Sequence, residues 1–427
     1  MYCGNCFRDN ALVGALRQRG HSTLMVPLYL PMTLDEPDQS AGTPIFFGGI
    51  NVYLDQKSAW FRNAPAWLHR WLASPALLKW AAGRAARTRA ADLGELTLSM
   101  MRGHEGNQAR ELEDLLRWLR TSDAPDLICL SNALLAGLAR RLKSQLRVPI
   151  VCFLQGEDSF LDALPEAYRQ VAWSTLAERA QDVDLFIAPS RYFADRMQQR
   201  LRLRADRVRV IHNGIRLDGY APAAAAPRPP VLGYFARLCR EKGLDTVVDA
   251  FILLKNRDRV KDLRLHLGGS LGPSDVPFVE EQRRKLEANG LEGLFRVFPN
   301  VDLAGKKEFY RSLSVMSVPA LYGEAFGLYV IEAMASGVPV VQPDVASFPE
   351  LVEATGGGVL CQAGQPESLA DGVERLLADP EAARALGTRA RQVVLDKFSI
   401  EGMAETLIGV YGEVVGGGRT AASRSFP

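Results

Sequence analysis

The sequence predicts two successive parallel α/β domains of the doubly wound type. From about residue 126, short apolar runs alternate with helix-like stretches, the rhythm of βα units on a mostly parallel sheet. The alternation occurs as two series. Between them lies the stretch 219–230, dominated by alanine and proline and without a periodic face, which reads as a linker.

Size and composition agree with this. A chain of 427 residues has room for two or three domains and for large cores. The hydrophobic fraction of 47% and charged fraction of 23% are those of a soluble globular enzyme. A formal net charge of +2 argues against a dedicated nucleic-acid binder, which concentrates basic charge. The six cysteines, Cys3, Cys6, Cys129, Cys152, Cys239 and Cys361, do not form a disulfide framework and fit a reducing compartment. No secretory signal and no membrane-spanning apolar run is expected, so the expected location is cytoplasmic.

The chain opens on Cys3-Gly4-Asn5-Cys6 and passes into a helix-like run at Ala11–Leu16, closed by Arg19-Gly20. A doubly wound domain ordinarily begins with a strand, and none precedes this helix. Residues 1–8 are therefore expected to form a cleft loop whose strand is absent. Cys3 and Cys6 make a CxxC. Loop packing or lining of the acceptor cleft is its favoured reading, over redox or metal chemistry.

Residues 45–54 contain extended pieces, and 59–120 are helix-like, with Trp60, Phe61, Trp67, Trp71 and Trp80 ahead of Arg84, Arg87 and Arg89. Two readings of 59–89 stand: a helical cover with inward-packed tryptophans, or a peripheral contact with the cytoplasmic face of a membrane. Gln108 to Leu119 shows the helical stripe Leu112, Leu115, Leu116, Leu119. Strands are expected at 127–130, 149–154, 185–188 and 208–211, with a helix at 133–146.

In the second series the expected strands are 231–235, 263–267, 295–298, 315–319, 338–341 and 358–360. The expected helices include 243–255, 276–288, 326–336, 366–377 and one from Pro380 to about Leu395. A last helix at 400–415 has a long apolar side and is expected to cross back onto the first domain, and 416–427 looks frayed. The predicted organisation is 1–218, linker 219–230, 231–399, then the crossing helix. Ligands of such sheets bind outside the carboxyl ends of the strands, so an active site in a cleft between the two domains is expected.

The strongest chemical signal runs from Pro319 to Pro339. A strand leads into a loop with Gly323 and Glu324, and a helix opens at Phe326-Gly327-Leu328 with Glu332 inside it. Free N–H groups at such a helix start form an anion site suited to a diphosphate. Glu324 and Glu332 can then make two acidic contacts on one bound molecule; the competing reading is a capping acid and a surface acid. The second signal is Gly233-Tyr234-Phe235-Ala236-Arg237-Leu238 followed by Glu241-Lys242-Gly243. Arg237 and Lys242 can neutralise a leaving diphosphate, or be merely solvated loop cations. In the first half, Gln155 can hydrogen-bond a sugar. Glu157 or Asp158 can act on an acceptor hydroxyl or cap the following helix.

Taken together these motifs resemble the retaining glycosyltransferases of family 4, the group 1 transferases of the GT-B fold. Members carry two glutamates with seven residues between them, as Glu324 and Glu332 have, and an arginine and a lysine after the first strand of the C-terminal domain, matched by Arg237 and Lys242. Asn213-Gly214 and Pro189-Ser190 fit as well. The resemblance is strong over 183–400 and thinner before it.

It implies two Rossmann-like domains facing each other across a cleft. It also implies a donor site in which Glu332 binds the ribose hydroxyls, Glu324 sits by the transferred sugar, and Phe326, Gly327 and Leu328 hold the diphosphate. Arg237 and Lys242 offset the leaving charge, with Gly4, Asn213 and Gly233 completing the donor contacts. The implied reaction moves a sugar with retention from a nucleoside diphosphate sugar to a hydroxyl of an unidentified saccharide, lipid-linked or small-molecule acceptor, with no metal and no cofactor.

Within the same fold a sugar or sugar-phosphate synthase, or a phosphorylase, would keep the same motifs. A non-catalytic nucleotide-sugar-binding protein is the alternative from another class. A dehydrogenase fails because no complete G-x-G-x-x-G follows a strand. The five histidines, His21, His69, His104, His212 and His266, form no ligand spacing.

Overall fold

The computed structural model describes residues 4–28, 36–47, 90–121 and 124–423. The chain forms two compact units, each on its own parallel sheet. One comprises the chain up to Ile211 together with the residues from Ala404 onward; the other runs from His212 to Met403.

The first unit opens on α1 (Gly4–Gln18). This corrects the expectation for residues 1–8: Gly4 begins a helix instead of turning a cleft loop, and Cys6 is helical. No proline or β-branched residue interrupts the chain from Gly4 to Leu12. Asn10, which reads as a loop residue, is buried and serves a tertiary tie. Its amide donates to the Pro37 carbonyl (3.1 Å) and its carbonyl accepts the Gln39 N–H (2.8 Å). Ala11, Leu12, Ala15 and Leu16 form the buried face. Cys3 and the helical expectation for 59–89 lie outside the described residues.

After α2 (Ala90–Arg102) comes α3 (Ala109–Thr121), which buries the expected stripe Leu112, Leu115, Leu116 and Leu119. Then follow β1 (Ile128–Leu130), α4 (Ala139–Leu146), β2 (Ile150–Phe153), α5 (Glu157–Asp162), α6 (Glu166–Arg179), β3 (Leu185–Ala188), α7 (Arg191–Leu201) and β4 (Val208–Val210). The sheet has the order β1-β2-β3-β4, all parallel. β2 and β3 are buried along their whole length, which explains why they read as unbroken apolar runs.

The second unit contains β5 (Val231–Phe235), α8 (Leu244–Arg257), β6 (Arg264–Gly269), α9 (Val276–Ala288), β7 (Phe295–Pro299), α10 (Leu303–Arg311), β8 (Val315–Met316), α11 (Leu328–Ala335), β9 (Val340–Pro343), α12 (Phe348–Thr355), β10 (Gly358–Cys361), α13 (Pro366–Leu377) and α14 (Pro380–Lys397). The sheet order is β10-β9-β8-β5-β6-β7, parallel throughout. From β5 the chain winds outward through β6 and β7. It then returns to the other side of β5 as β8 and winds away through β9 and β10. The reversal between β5 and β8 leaves a crevice at their carboxyl ends, where a doubly wound sheet binds its ligand.

The stretch 219–230 is packed onto this unit, and the units divide before it. Tyr220 is buried, its ring 6.2 Å from that of Tyr310, and Arg391 donates to the Tyr220 carbonyl at 2.8 Å. Arg384 donates to the Ala224 carbonyl at 3.0 Å. Ile215 makes a parallel bridge with Ser399. An alanine–proline composition reports the lack of a helical or strand period, not the lack of contacts.

The last helix, α15 (Ile400–Ser423), starts in the second unit, with Ile400 and Met403 buried, and its residues from Ala404 belong to the first. There the Tyr411 hydroxyl lies 3.5 Å from the Cys129 sulfur, and Arg209 pairs with Glu413 at 3.6 Å. Among the described residues no helix is long and apolar enough to cross a membrane.

Candidate functional site

The site is built from the loops that leave β5 and β8, on either side of the reversal point. Their backbones are zipped together: Ser317 N–H donates to the Gly233 carbonyl (2.9 Å) and Leu321 N–H to the Glu241 carbonyl (3.0 Å). Gly243 lies where they press closest. Its φ is +73°, and a β-carbon there would sit 2.0 Å from the Pro319 carbonyl oxygen. No other residue type fits that position without parting the loops.

This approach brings Lys242 and Glu324 into an ion pair across the crevice. Their side chains are only 17% and 16% exposed, so the pair is poorly screened. The Tyr329 hydroxyl donates to the same Glu324 oxygen at 3.0 Å. The Lys242 ammonium stands 4.8 Å from the centre of the Tyr322 ring and 5.5 Å from that of Tyr329. Burial opposes the charge on Lys242, but the Glu324 carboxylate outweighs it and holds the ammonium well above its usual range. Burial pushes the Tyr322 phenol up to about 12, Glu324 adding to the rise and Lys242 opposing it. At neutral pH the pair is therefore a fixed cation and a carboxylate ringed by neutral phenols.

Directly after Glu324 the chain enters α11. Its N-cap is Gly327 at φ +89°, and no side chain caps the helix. Leu328 opens the helix, so Phe326 and Gly327 stand just before it instead of inside it. Phe326 is 2% exposed, against His212 and Phe398 at ring separations of 6.0 and 6.2 Å, so its side chain is core and its backbone alone can serve a ligand. In α11, as in any helix, the first N–H groups have no acceptor within the helix. This start carries partial positive charge and lies beside Lys242.

Glu332 projects from the second turn of α11 and is almost completely buried. One of its oxygens takes Lys306 at 2.5 Å and the other the Tyr310 hydroxyl at 2.9 Å. Burial and the Glu332 carboxylate both keep the Tyr310 phenol neutral. Arg237 has a different partner from Lys242: its guanidinium meets both Asp275 oxygens at 2.9 Å, a two-pronged bond at the start of α9. It is still 55% exposed. Gly233 is a packing residue inside β5, since a β-carbon there would lie 2.3 Å from Leu313. Asn213 is buried beside His212, which bonds Glu350 at 2.8 Å. Sequence reasoning missed Lys306, Tyr310, Asp275, Tyr322 and Tyr329. The two flanking tyrosines were the readable signal, aromatics set close to the glutamate and the lysine.

In the first unit, Glu157 is tied to the main chain. Its two oxygens accept the N–H groups of Ala133 (2.7 Å) and Gln155 (2.8 Å), joining the loops after β1 and β2. Burial raises its carboxyl above the ordinary range while these bonds pull it down. Asp158 is buried against Arg196. Helix capping, one of the two readings for these acids, is not what they do, since no side chain caps α5; instead they anchor the loops around it. Gln155 keeps a buried amide nitrogen without a hydrogen-bond partner among the described residues.

Glu157→Gln should therefore act on stability first. An amide in place of the carboxylate sets a donor against one of the two N–H groups, at a cost of about 1–3 kcal/mol. Urea unfolding should show this, with activity per folded molecule far less affected. A large loss of activity at unchanged stability would instead make Glu157 a reacting group. Because burial raises the Glu157 carboxyl, the wild-type carboxyl favours the folded state most when protonated. That advantage fades as pH rises through its folded value, and the gap between wild type and variant should narrow with it.

Residues 221–393 match the family model for glycosyl transferases group 1, and residues 92–218 match that for glycosyltransferase family 4. The chain belongs to the group 1, family 4 glycosyltransferases. It is 30% identical over 252 residues to a D-inositol 3-phosphate glycosyltransferase of Streptomyces bingchenggensis, covering 56% of this chain and 55% of that protein. It is 28% identical over 230 residues to an alpha-maltose-1-phosphate synthase of Mycolicibacterium smegmatis, covering 49% and 57%. The chain thus spans about half the length of the curated relatives it matches.

Among solved structures, Anabaena HepE in complex with UDP superposes with a TM-score of 0.63 at 18% identity, over 91% of this chain and 100% of that one. The fold is GT-B, as expected. Among the described residues no group of three or more His, Cys, Asp or Glu side chains is arranged to hold a metal ion.

Proposed function

We propose that the chain transfers a sugar from a nucleoside diphosphate sugar to a hydroxyl of a small phosphorylated acceptor, with retention at the anomeric carbon. One observation carries the donor half: the Lys242–Glu324 pair lies across the reversal between β5 and β8, beside the uncapped start of α11. A diphosphate seated on that helix start would meet backbone N–H groups and the Lys242 ammonium together, and Glu324 would pass from the lysine toward the sugar. Glu332, braced by Lys306 and Tyr310, is suited to accept ribose hydroxyls.

In the reaction the bond between the anomeric carbon and the diphosphate oxygen breaks. The acceptor oxygen bonds to that carbon on the same face, and its proton passes to the departing phosphate. Charge on the leaving group is met by Lys242 and the helix start, so no metal or other cofactor is required. The acceptor class draws support from relatives whose names specify inositol 3-phosphate and maltose 1-phosphate. It shifts the reading from a transferase with an open acceptor to a synthase of phosphorylated glycosides.

The test is a matrix of nucleoside diphosphate sugars against paired acceptors, each with and without its phosphate, followed by mass spectrometry and NMR of the anomeric proton. Product should form with phosphorylated polyols or sugars, in the donor's anomeric configuration. Turnover confined to unphosphorylated acceptors would remove the acceptor half. The absence of any nucleoside diphosphate release would remove the whole proposal.

A further inference from the structure

The opposite end of the second sheet holds a cavity that the donor chemistry does not use. Its volume is about 370 Å3, at the amino ends of β5 and β6, with Arg228, Arg264, His266, Arg311 and Ser312 among its lining residues. β5 runs from Val231 at this cavity to Phe235 at the donor crevice. Four residue steps of about 3.3 Å separate those ends by roughly 13 Å, so one phosphate cannot serve both.

The cavity is rich in cation and poor in carboxylate. Arg228 is exposed and has no hydrogen bond or ion pair among the described residues. Arg264 ties one amino group to the Gly293 carbonyl, a neutral acceptor that leaves its charge unmatched. Arg311 pairs with Glu308 at 3.0 Å through one amino group, while its Nε is buried and meets no acceptor among the described residues. His266 is held by the Ser312 hydroxyl at 3.1 Å. Burial, and then Arg296 across from it on β7, keep this imidazole below its usual range, so it offers a polar contact and no charge at neutral pH.

We propose that this cavity is a second, non-catalytic binding site for the phosphate group of a small soluble molecule. Arg228 and Arg264 together supply two charges that no carboxylate offsets, which matches a phosphate dianion. The buried Arg311 Nε–H supplies a donor awaiting an acceptor. Guanidinium forks fit phosphate oxygens in pairs, and the cavity is of small-ligand size.

The test is calorimetric titration of the full chain with pyrophosphate at low salt, in wild type, Lys242→Ala, Arg228→Ala and Arg228→Ala/Arg311→Lys. Lys242→Ala weakens the donor crevice as a competing anion site, and a second binding event should survive in it. Arg228 lies on an exposed loop, so its loss leaves the fold intact. Arg228→Ala should weaken that event about tenfold, and the double variant should weaken it further. The event should also fade as salt rises. Pyrophosphate binding that vanishes with Lys242→Ala alone, or that is equal in wild type and the double variant, would overturn the proposal. The Arg228 comparison holds whether or not the donor assignment is right.

Discussion

Lys242→Ala is expected to lower turnover roughly a hundredfold to a thousandfold while the second unit stays folded. Lys242 is held against Glu324 between the loops after β5 and β8, where under the proposed function a leaving diphosphate would develop charge. Removing it takes away stabilisation that is larger in the transition state than in the bound donor, so the loss should fall on kcat. The stability cost should be modest, about 1–2 kcal/mol, because Glu324 keeps its hydrogen bond from Tyr329.

The pH dependence has a definite sign. Glu324 holds the Lys242 ammonium well above its usual range. Its contribution to stability is fully present below about 10.4, the ordinary lysine value, and is lost as pH rises from there through the folded value. No limb of the rate profile between pH 6 and pH 9 should therefore belong to Lys242. Steady-state kinetics beside a thermal melt checks both statements; unchanged kcat in a folded variant would show that the cation does not face the reacting group. Glu324→Gln should also act on kcat, since it neutralises the carboxylate while keeping a partner for Tyr329.

The second large effect is expected at Glu332. Glu332→Ala should weaken nucleoside diphosphate binding about tenfold to a hundredfold, and should raise KM more than it lowers kcat. A ribose contact, as proposed for Glu332, would be made in the ground state and kept through the reaction. The same change strips Lys306 and Tyr310 of their shared acceptor in a nearly closed environment, so stability should fall by about 1–3 kcal/mol. Glu332→Gln keeps an acceptor for Tyr310 and should recover much of that stability without restoring nucleotide affinity. Calorimetry with nucleoside diphosphates and urea unfolding on the two variants separates the roles. Full nucleotide affinity in a folded Glu332→Ala protein would leave this carboxylate a purely structural acid.

Much of the architecture was legible in the residues. β5, α9 and α13 fall where the apolar runs and helical stripes put them, because those elements bury one continuous strand or one face and periodicity reports burial. Glu324, Lys242 and the start of α11 were readable too, since a glycine-bearing loop between a strand and a helix has few structural uses. Only the tertiary structure set Lys242 on Glu324, Arg237 on Asp275, and Lys306 with Tyr310 on Glu332. These partners lie 22 to 82 residues apart, on elements that meet through strand order, and strand order leaves no local trace in the chain. The same reason explains Gly4, Asn10 and the stretch 219–230. Short-range preference makes each a loop, and each is held as it is by contacts with distant segments or by the helix it joins. Sequence by itself marked Glu324, Glu332, Arg237 and Lys242 as charged candidates; the winding of the sheet decided which partners face them, Lys306 and Asp275 among these.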